Sequence, residues 1–310
     1  MADYRKLIAF GKSSFVVSLP KKWVEKHHLK KGSVISFKAT DAELVLFPQS
    51  EVENKEREIR ISVDGKTERR VFREIIAGYM ANFNSFVLYG NELPQQSKSI
   101  RDVFHNLMAI EILEQTSTKM VAKDFLEMDN LDITSIIKKA DMIIRSMMTD
   151  CRDGKTHLES MRLRGNDVDR LTFLLYRAVR HSLQNPLAAK NHSSVELVDF
   201  YWLINSLERI ADNIYDLATQ LSKMNKEELR ITNNLLKKVD EAFLTTMKAV
   251  YAHNKELAHE VATNKSDMIE ECDSFLNEHR PPAFVLSLQH IKSIARLVHV
   301  IGRTVYNSVL

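Results

Sequence analysis

The sequence predicts a mainly α protein with an α+β N-terminal part. A basic run of β-forming residues, bounded by Gly and Pro, opens the chain. Strand-type and helix-type periodicities alternate through residues 51–130, and from Leu131 onward apolar residues recur at helical spacing with almost no Gly. At 310 residues, 44% of them hydrophobic and 27% charged, the chain has room for two or three domains and for a sizeable core. The expected divisions are 1–50, 51–130 and 131–310.

In the first division Phe15, Val16, Val17 and Leu19 form a strand, and Pro20, which cannot donate to a ladder, stops it. Lys21 to His28 makes a short helix, and Lys30-Lys31-Gly32 suits its exit, with Gly in a left-handed conformation. Val34, Ile35, Phe37 and Leu44 to Phe47 supply further strand around a turn near Asp41. So small a unit leaves apolar faces and edges uncovered, so two copies are expected to interleave. Residues 1–50 carry nine Lys and Arg against four Asp and Glu, whereas the whole chain is only +3, so the basic excess is local. Such a surface on a two-fold dimer suits DNA phosphates, and it equally suits a solvated, solubilising face. Gly11-Lys12-Ser13 is not a nucleotide loop: that pattern needs Gly where Lys6 stands and a helix where Phe15 to Val17 reads as strand.

Residues 51–130 read as a small α/β connecting domain. Ile59, Ile61 and Val63 alternate, Glu68 to Met80 is helical, Ser85 to Tyr89 is an apolar strand, Ile100 to Met108 is helical, and Ile110 to Ile112 and Lys119 to Ala122 add strands. A spacer or dimerisation role and a mere joining role both fit it, and nothing in it looks catalytic.

The helical body begins with Ile133, Ile136, Ile137, Ala140, Ile143, Ile144 and Met147. A second stripe runs through Val168, Leu171, Leu175, Ala178 and Ser182, and a third through Phe200, Leu203, Leu207, Ile210, Ile214, Leu217 and Leu221. Breaks at Arg152–Gly154, Asn185-Pro186, Asn225-Lys226 and Pro281-Pro282 separate these from helices near 229–254, 256–279 and 284–309. Six helices of similar length suggest two three-helix bundles, 131–225 and 226–310. An internal echo agrees: Leu207–Asp216 aligned with Val298–Asn307 sets Ile210 on Ile301, Ala211 on Gly302, Ile214 on Val305 and Tyr215 on Tyr306.

Several function classes find no support. Cys151 and Cys272 stand far apart with no metal-ligand spacing, and Cys272 reads as a packed thiol. The eleven His are scattered, and no nucleophile–base pair emerges, so an enzyme is not expected. No signal-peptide pattern is present and no apolar run approaches the roughly 20 residues that span a bilayer, so the expected place is the cytoplasm, without membrane insertion.

Two resemblances add to this reading. Ser18-Leu19-Pro20-Lys21-Lys22 and Leu29-Lys30-Lys31-Gly32, within residues 4–48, resemble the AbrB-like swapped-hairpin DNA-binding domains. The resemblance implies a homodimer or higher homo-oligomer that meets promoter DNA through Arg5, Lys6, Lys12, Lys21 and Lys22. Leu207-Glu208-Arg209-Ile210-Ala211-Asp212 looks like the signature of PhoU domains, and Asp167-Val168-Asp169-Arg170-Leu171 resembles their second-helix motif. That likeness, over residues 131–310, implies a double three-helix bundle that regulates phosphate uptake and acts with a phosphate transporter or signalling protein. A PhoU-like body behind an AbrB-like head resembles archaeal phosphate-uptake regulators.

Some PhoU proteins bind metal through acidic motifs, which implies a divalent or iron-type cation on the first bundle held by Glu208, Asp212 and Asp169. Glu208 and Asp212 lie one helical turn apart and share a face, at heptad positions that point away from the core. That face suits a hard cation if a neighbouring helix adds oxygens, and it also suits plain solvation. The sequence departs from the family pattern at Gly165, where an acidic residue is usual, and at His299, Arg303 and Asn307, which stand where Glu208, Asp212 and Asp216 stand in the first repeat. Arg303 opposes a cation there, and with His299 it also suits an anion or a partner protein.

Overall fold

The structure, a computed structural model, describes residues 4–39, 44–48, 57–185, 192–277 and 280–307. The turn expected near Asp41 lies outside these, as does Pro186. The chain divides into two units, Met1–Glu56 and Arg57–Leu310.

The first unit is built of two hairpins and one short helix. Strands β1 (Ile8–Phe10) and β2 (Ser14–Val16) pair antiparallel, and Gly11 turns between them at φ 71°. Gly11-Lys12-Ser13 is therefore a hairpin turn, and the strand stops at Val16, short of the expected Pro20 boundary. Helix α1 (Lys21–Lys26) follows, then β3 (Ile35–Ala39) paired antiparallel with β4 (Leu44–Pro48). The expected helix exit is corrected in place only: α1 ends at Lys26 with His27 as its C-cap and closes on left-handed His28, at φ 53°, while Gly32 is left-handed as expected, at φ 89°, but lies beyond that turn. The His28 amide donates to the Glu25 carbonyl at 3.1 Å and the Leu29 amide to Val24 at 3.0 Å, a closed Schellman turn four residues before Gly32. No described residue of this unit is buried, and Leu7, Ile8, Phe10, Phe15, Val34 and Phe37 are all exposed. An isolated hairpin of this size is marginal in water, so the unit lacks what a partner must supply.

The second unit opens with an α/β lobe: β5 (Glu58–Ser62), α2 (Glu68–Met80), β6 (Ser85–Tyr89), α3 (Leu93–His105), β7 (Ile110–Gln115) and β8 (Lys119–Asp124). The sheet order is β5-β6-β8-β7, with β5 parallel to β6 and the remaining pairs antiparallel. Gly78 lets α2 lie close on the sheet, since a Cβ there would stand 3.0 Å from the Phe86 ring. Helix α3 starts seven residues before the expected Ile100, at Leu93, with Pro94 in its first turn.

Six long helices complete the chain: α4 (Ile133–Arg152), α5 (Leu158–Gln184), α6 (Ser194–Leu221), α7 (Lys226–Ala252), α8 (Lys255–Ser274) and α9 (Pro282–Asn307). Ser193 with Glu196 and Asn225 with Glu228 form capping boxes that fix the starts of α6 and α7. The anticipated stripes are buried, and α4–α6 share one continuous core with α7–α9. By length and composition α9 is apolar enough to cross a membrane, which corrects the expectation that no run reaches that length. Half of its apolar window is buried, where Phe284, Leu288, Ile291, Ile294 and Val298 enter the shared core.

Candidate functional site

The five basic residues singled out in the head occupy three places. Arg5 and Lys6 precede β1, Lys12 sits in the β1–β2 turn, and Lys21 and Lys22 open α1; all five are exposed. The first turn of α1 holds no acidic residue, so the two lysines add charge at a helix end that is already partly positive. Lys21 lies 3.7 Å from Glu25 in an exposed pair of little energetic weight, which leaves its charge available to a phosphate.

The carboxylates of the body lie where α5 runs beside α6. Burial, then Asp169 and Asp212, push the Glu208 carboxyl up to about 7, and Arg209 opposes this only weakly. Burial and Asp212 push Asp169 up to about 6, while burial and Asp216 raise Asp212. The three thus share one face and repel each other. Asp212 is exposed as expected, whereas Glu208 is half-buried because α5 covers the flank that a one-helix heptad leaves open. Among the described residues no group of three or more His, Cys, Asp or Glu is placed to hold one metal ion, so these carboxylates do not close into a cage. A Cβ at Gly165 would meet nothing within 4 Å, and glycine adds no donor at this position of α5.

A pH dependence follows. Folded Glu208 and Asp169 hold protons up to about pH 7 and 6, whereas unfolded carboxylates release them near their ordinary values of 4.5 and 3.8. Between these limits the folded state binds more protons, so these two groups favour it on the acid side, and that contribution is lost as pH rises through 6 and 7. Glu208→Gln should therefore raise the urea midpoint at pH 8 and leave it near wild type at pH 5, both in chelator. Equal midpoints for variant and parent at pH 8 would refute the assignment.

The thiols are packed rather than reactive: burial pushes Cys151 up to about 12 and Cys272 up to about 11, and both are free. An additional surface escaped the sequence reading. Tyr201 stacks on Tyr176 with ring centroids 4.7 Å apart, Trp202 lies edge-on to Tyr201, and Val195, Val198 and Trp202 are exposed along the start of α6.

The site is therefore that of a coreless β-hairpin head with a basic surface, followed by an α/β lobe and a six-helix body. Residues 8–54 match the family described as antidote-toxin recognition MazE, bacterial antitoxin, and the head is a MazE/AbrB-like domain. No curated protein and no solved structure matches the chain.

Proposed function

We propose that this chain is a cytoplasmic, dimeric, non-enzymatic DNA-binding transcriptional regulator of phosphate uptake and phosphate homeostasis. The observation that carries the DNA-binding part is the head, a MazE/AbrB-like domain with a local basic excess and no buried residue among those described. Its uncovered apolar side chains favour a second copy as the missing half of a core, and two copies double the array of cations facing DNA. The matched family's description names toxin recognition; the positive charge is what favours DNA here. The phosphate role is supported by the resemblance of Leu207 to Ile214 to the PhoU signature and by a body of six long helices.

A second reading is a PhoU-type interaction protein that acts on a phosphate transporter or signalling partner, with the head serving dimerisation alone. The exposed aliphatic and aromatic residues Val195, Val198, Tyr201 and Trp202 favour it, because contiguous apolar surface of this kind marks partner sites. A promoter-wide pull-down of the full chain from cells grown at high and low phosphate separates the two. Salt-sensitive enrichment of phosphate-transport promoters is the expected result, and no DNA recovered even at low salt would overturn the first reading.

A further inference from the structure

A cavity of about 220 Å³ opens at one end of the helical body, where α4 and α6 begin and α7 and α9 end. That is the liquid volume of about seven waters at roughly 30 Å³ each, so it suits a small molecule and is too small for a nucleotide or a peptide. Its floor is apolar: Ile137 of α4, Leu203 of α6 and Val305 of α9 line it and are buried, and Phe200 and Val250 add to the walls. An apolar cavity with a few placed polar groups is the usual composition of a small-ligand site.

The polar groups enter from different helices and differ in sign. Glu196 and Asp199, about one turn apart on α6 and half-buried, bring two carboxylates. Lys138, on the second turn of α4, brings an ammonium, with Thr134 one turn before it. The helix ends reinforce this division. Thr134 lies in the first turn of α4, whose amide end is partly positive, whereas Val250 and Val305 belong to the closing turns of α7 and α9, whose carbonyl ends are partly negative. The amide end of α6 is occupied by its own capping box. His192 and His253 are the remaining titratable groups of the lining, apart from Tyr251.

These walls are fixed by bonds of the protein itself. The Ser193 amide donates to Glu196 Oε2 at 2.7 Å and the Glu196 amide to Ser193 Oγ at 3.2 Å, which holds that carboxylate in place. The Tyr251 hydroxyl donates to Asp141 at 2.8 Å, and Arg145 holds the same carboxylate at 2.7 and 2.8 Å, so the Tyr251 ring is a set wall whose proton is already used. His192 packs edge-on against Phe200 with ring centroids 5.0 Å apart. Lys138 is exposed, makes no ion pair among the described residues, and has its Nζ 6.0 Å from the centre of the Tyr251 ring, so its charge is available to a ligand.

We propose that this cavity binds a small zwitterion with an apolar side chain, the class of the aliphatic α-amino acids. The ligand's ammonium meets Glu196 and Asp199, its carboxylate meets Lys138 near the amide end of α4, and its side chain covers Ile137, Leu203 and Val305. An ion of a single sign satisfies only part of these partners, and a hydrocarbon satisfies none. Binding here rests on neither the DNA nor the phosphate reading.

Equilibrium dialysis of the full chain against labelled L-leucine and L-valine tests the site, beside isocaproate, which is leucine without its ammonium, and isoamylamine, which is leucine without its carboxylate. Saturable binding of at least one amino acid is expected. It should be weaker by roughly tenfold or more for each single-charge analogue, and weaker to a similar degree in Lys138→Gln and in Asp199→Asn. Lys138→Gln changes an exposed side chain and so leaves the fold intact, and Lys139→Gln, exposed on the same helix but outside the cavity, should bind like the parent. No saturable binding of either amino acid, an analogue that binds as tightly as leucine, or parental affinity in Lys138→Gln or in Asp199→Asn would overturn the proposal.

Discussion

Joint replacement of Arg5, Lys6, Lys12, Lys21 and Lys22 by Gln is expected to lower promoter affinity by roughly a thousandfold or more near physiological salt, while dimerisation persists. Each phosphate neutralised on duplex DNA contributes about 0.9 to the slope of log affinity against log salt, and 6–10 such contacts shift affinity by about 10³–10⁵ between about 50 and 200 mM salt. These five side chains are exposed, and none contributes to a core, so their loss removes charge without removing packing. Fluorescence anisotropy over a salt series measures the slope, and light scattering measures the dimer. Lys12→Gln alone, in the β1–β2 turn, should reduce the slope by about one per contacting copy with affinity lowered similarly on any sequence. A quintuple variant that retains the parental slope and affinity would remove these residues from the interface and favour the interaction-protein reading.

The sequence was most legible where one helix face sets the answer. The stripe from Phe200 to Leu221 could be read because its three-and-four spacing has a single outcome, and Ser193 and Asn225 cap helices with the residues that local chemistry prefers. It was least legible where a polar residue does a core residue's job. The start of α3 carries Leu93 and then a polar run without apolar period, yet Gln96 is buried there because its amide donates to the carbonyls of Val63, at 3.3 Å, and Lys66, at 3.0 Å. Neither acceptor is close in sequence. The carboxylate face shows the same limit: the i, i+4 spacing of Glu208 and Asp212 is local, whereas the burial that raises Glu208 depends on where α5 lies. The helix closing on left-handed His28 before the chain reaches left-handed Gly32 is a smaller case, since a glycine marks where such a turn is easiest and not where the helix ends.

Arg177 is the largest departure, and its replacement carries the largest expected effect on stability. In the α5 stripe it occupies a buried position that a charged residue rarely takes: its side chain is 1% exposed and that of its partner Asp124 is 2% exposed. Its Nη2 donates to the Asp124 carboxylate and its Nε to Asn82 Oδ1 at 3.1 Å, while Cζ lies 3.9 Å from the centre of the Tyr79 ring. Asn82 reaches it because it ends α2 in a left-handed conformation, at φ 60°. Asp124 also accepts the Leu126 amide at 2.9 Å, so one carboxylate ties the end of β8 to α5 and fastens the α/β lobe to the helical body. Arg177→Met keeps an apolar stem against Tyr79 but strands a buried carboxylate, which costs about 3–5 kcal/mol and on the order of 10 °C in Tm for a unit of this size. Adding Asp124→Asn keeps the acceptor for Leu126 and removes the stranded charge, so the double variant should recover more than half of the loss. Urea unfolding of parent, single and double variants measures the coupling, and hydrogen exchange locates it: amides of α2 and β8 should lose protection before those of α9. If Arg177→Met were as stable as the parent, the pair would not be what joins lobe to bundle, and the packing of Phe173 against the lobe core would have to hold them together.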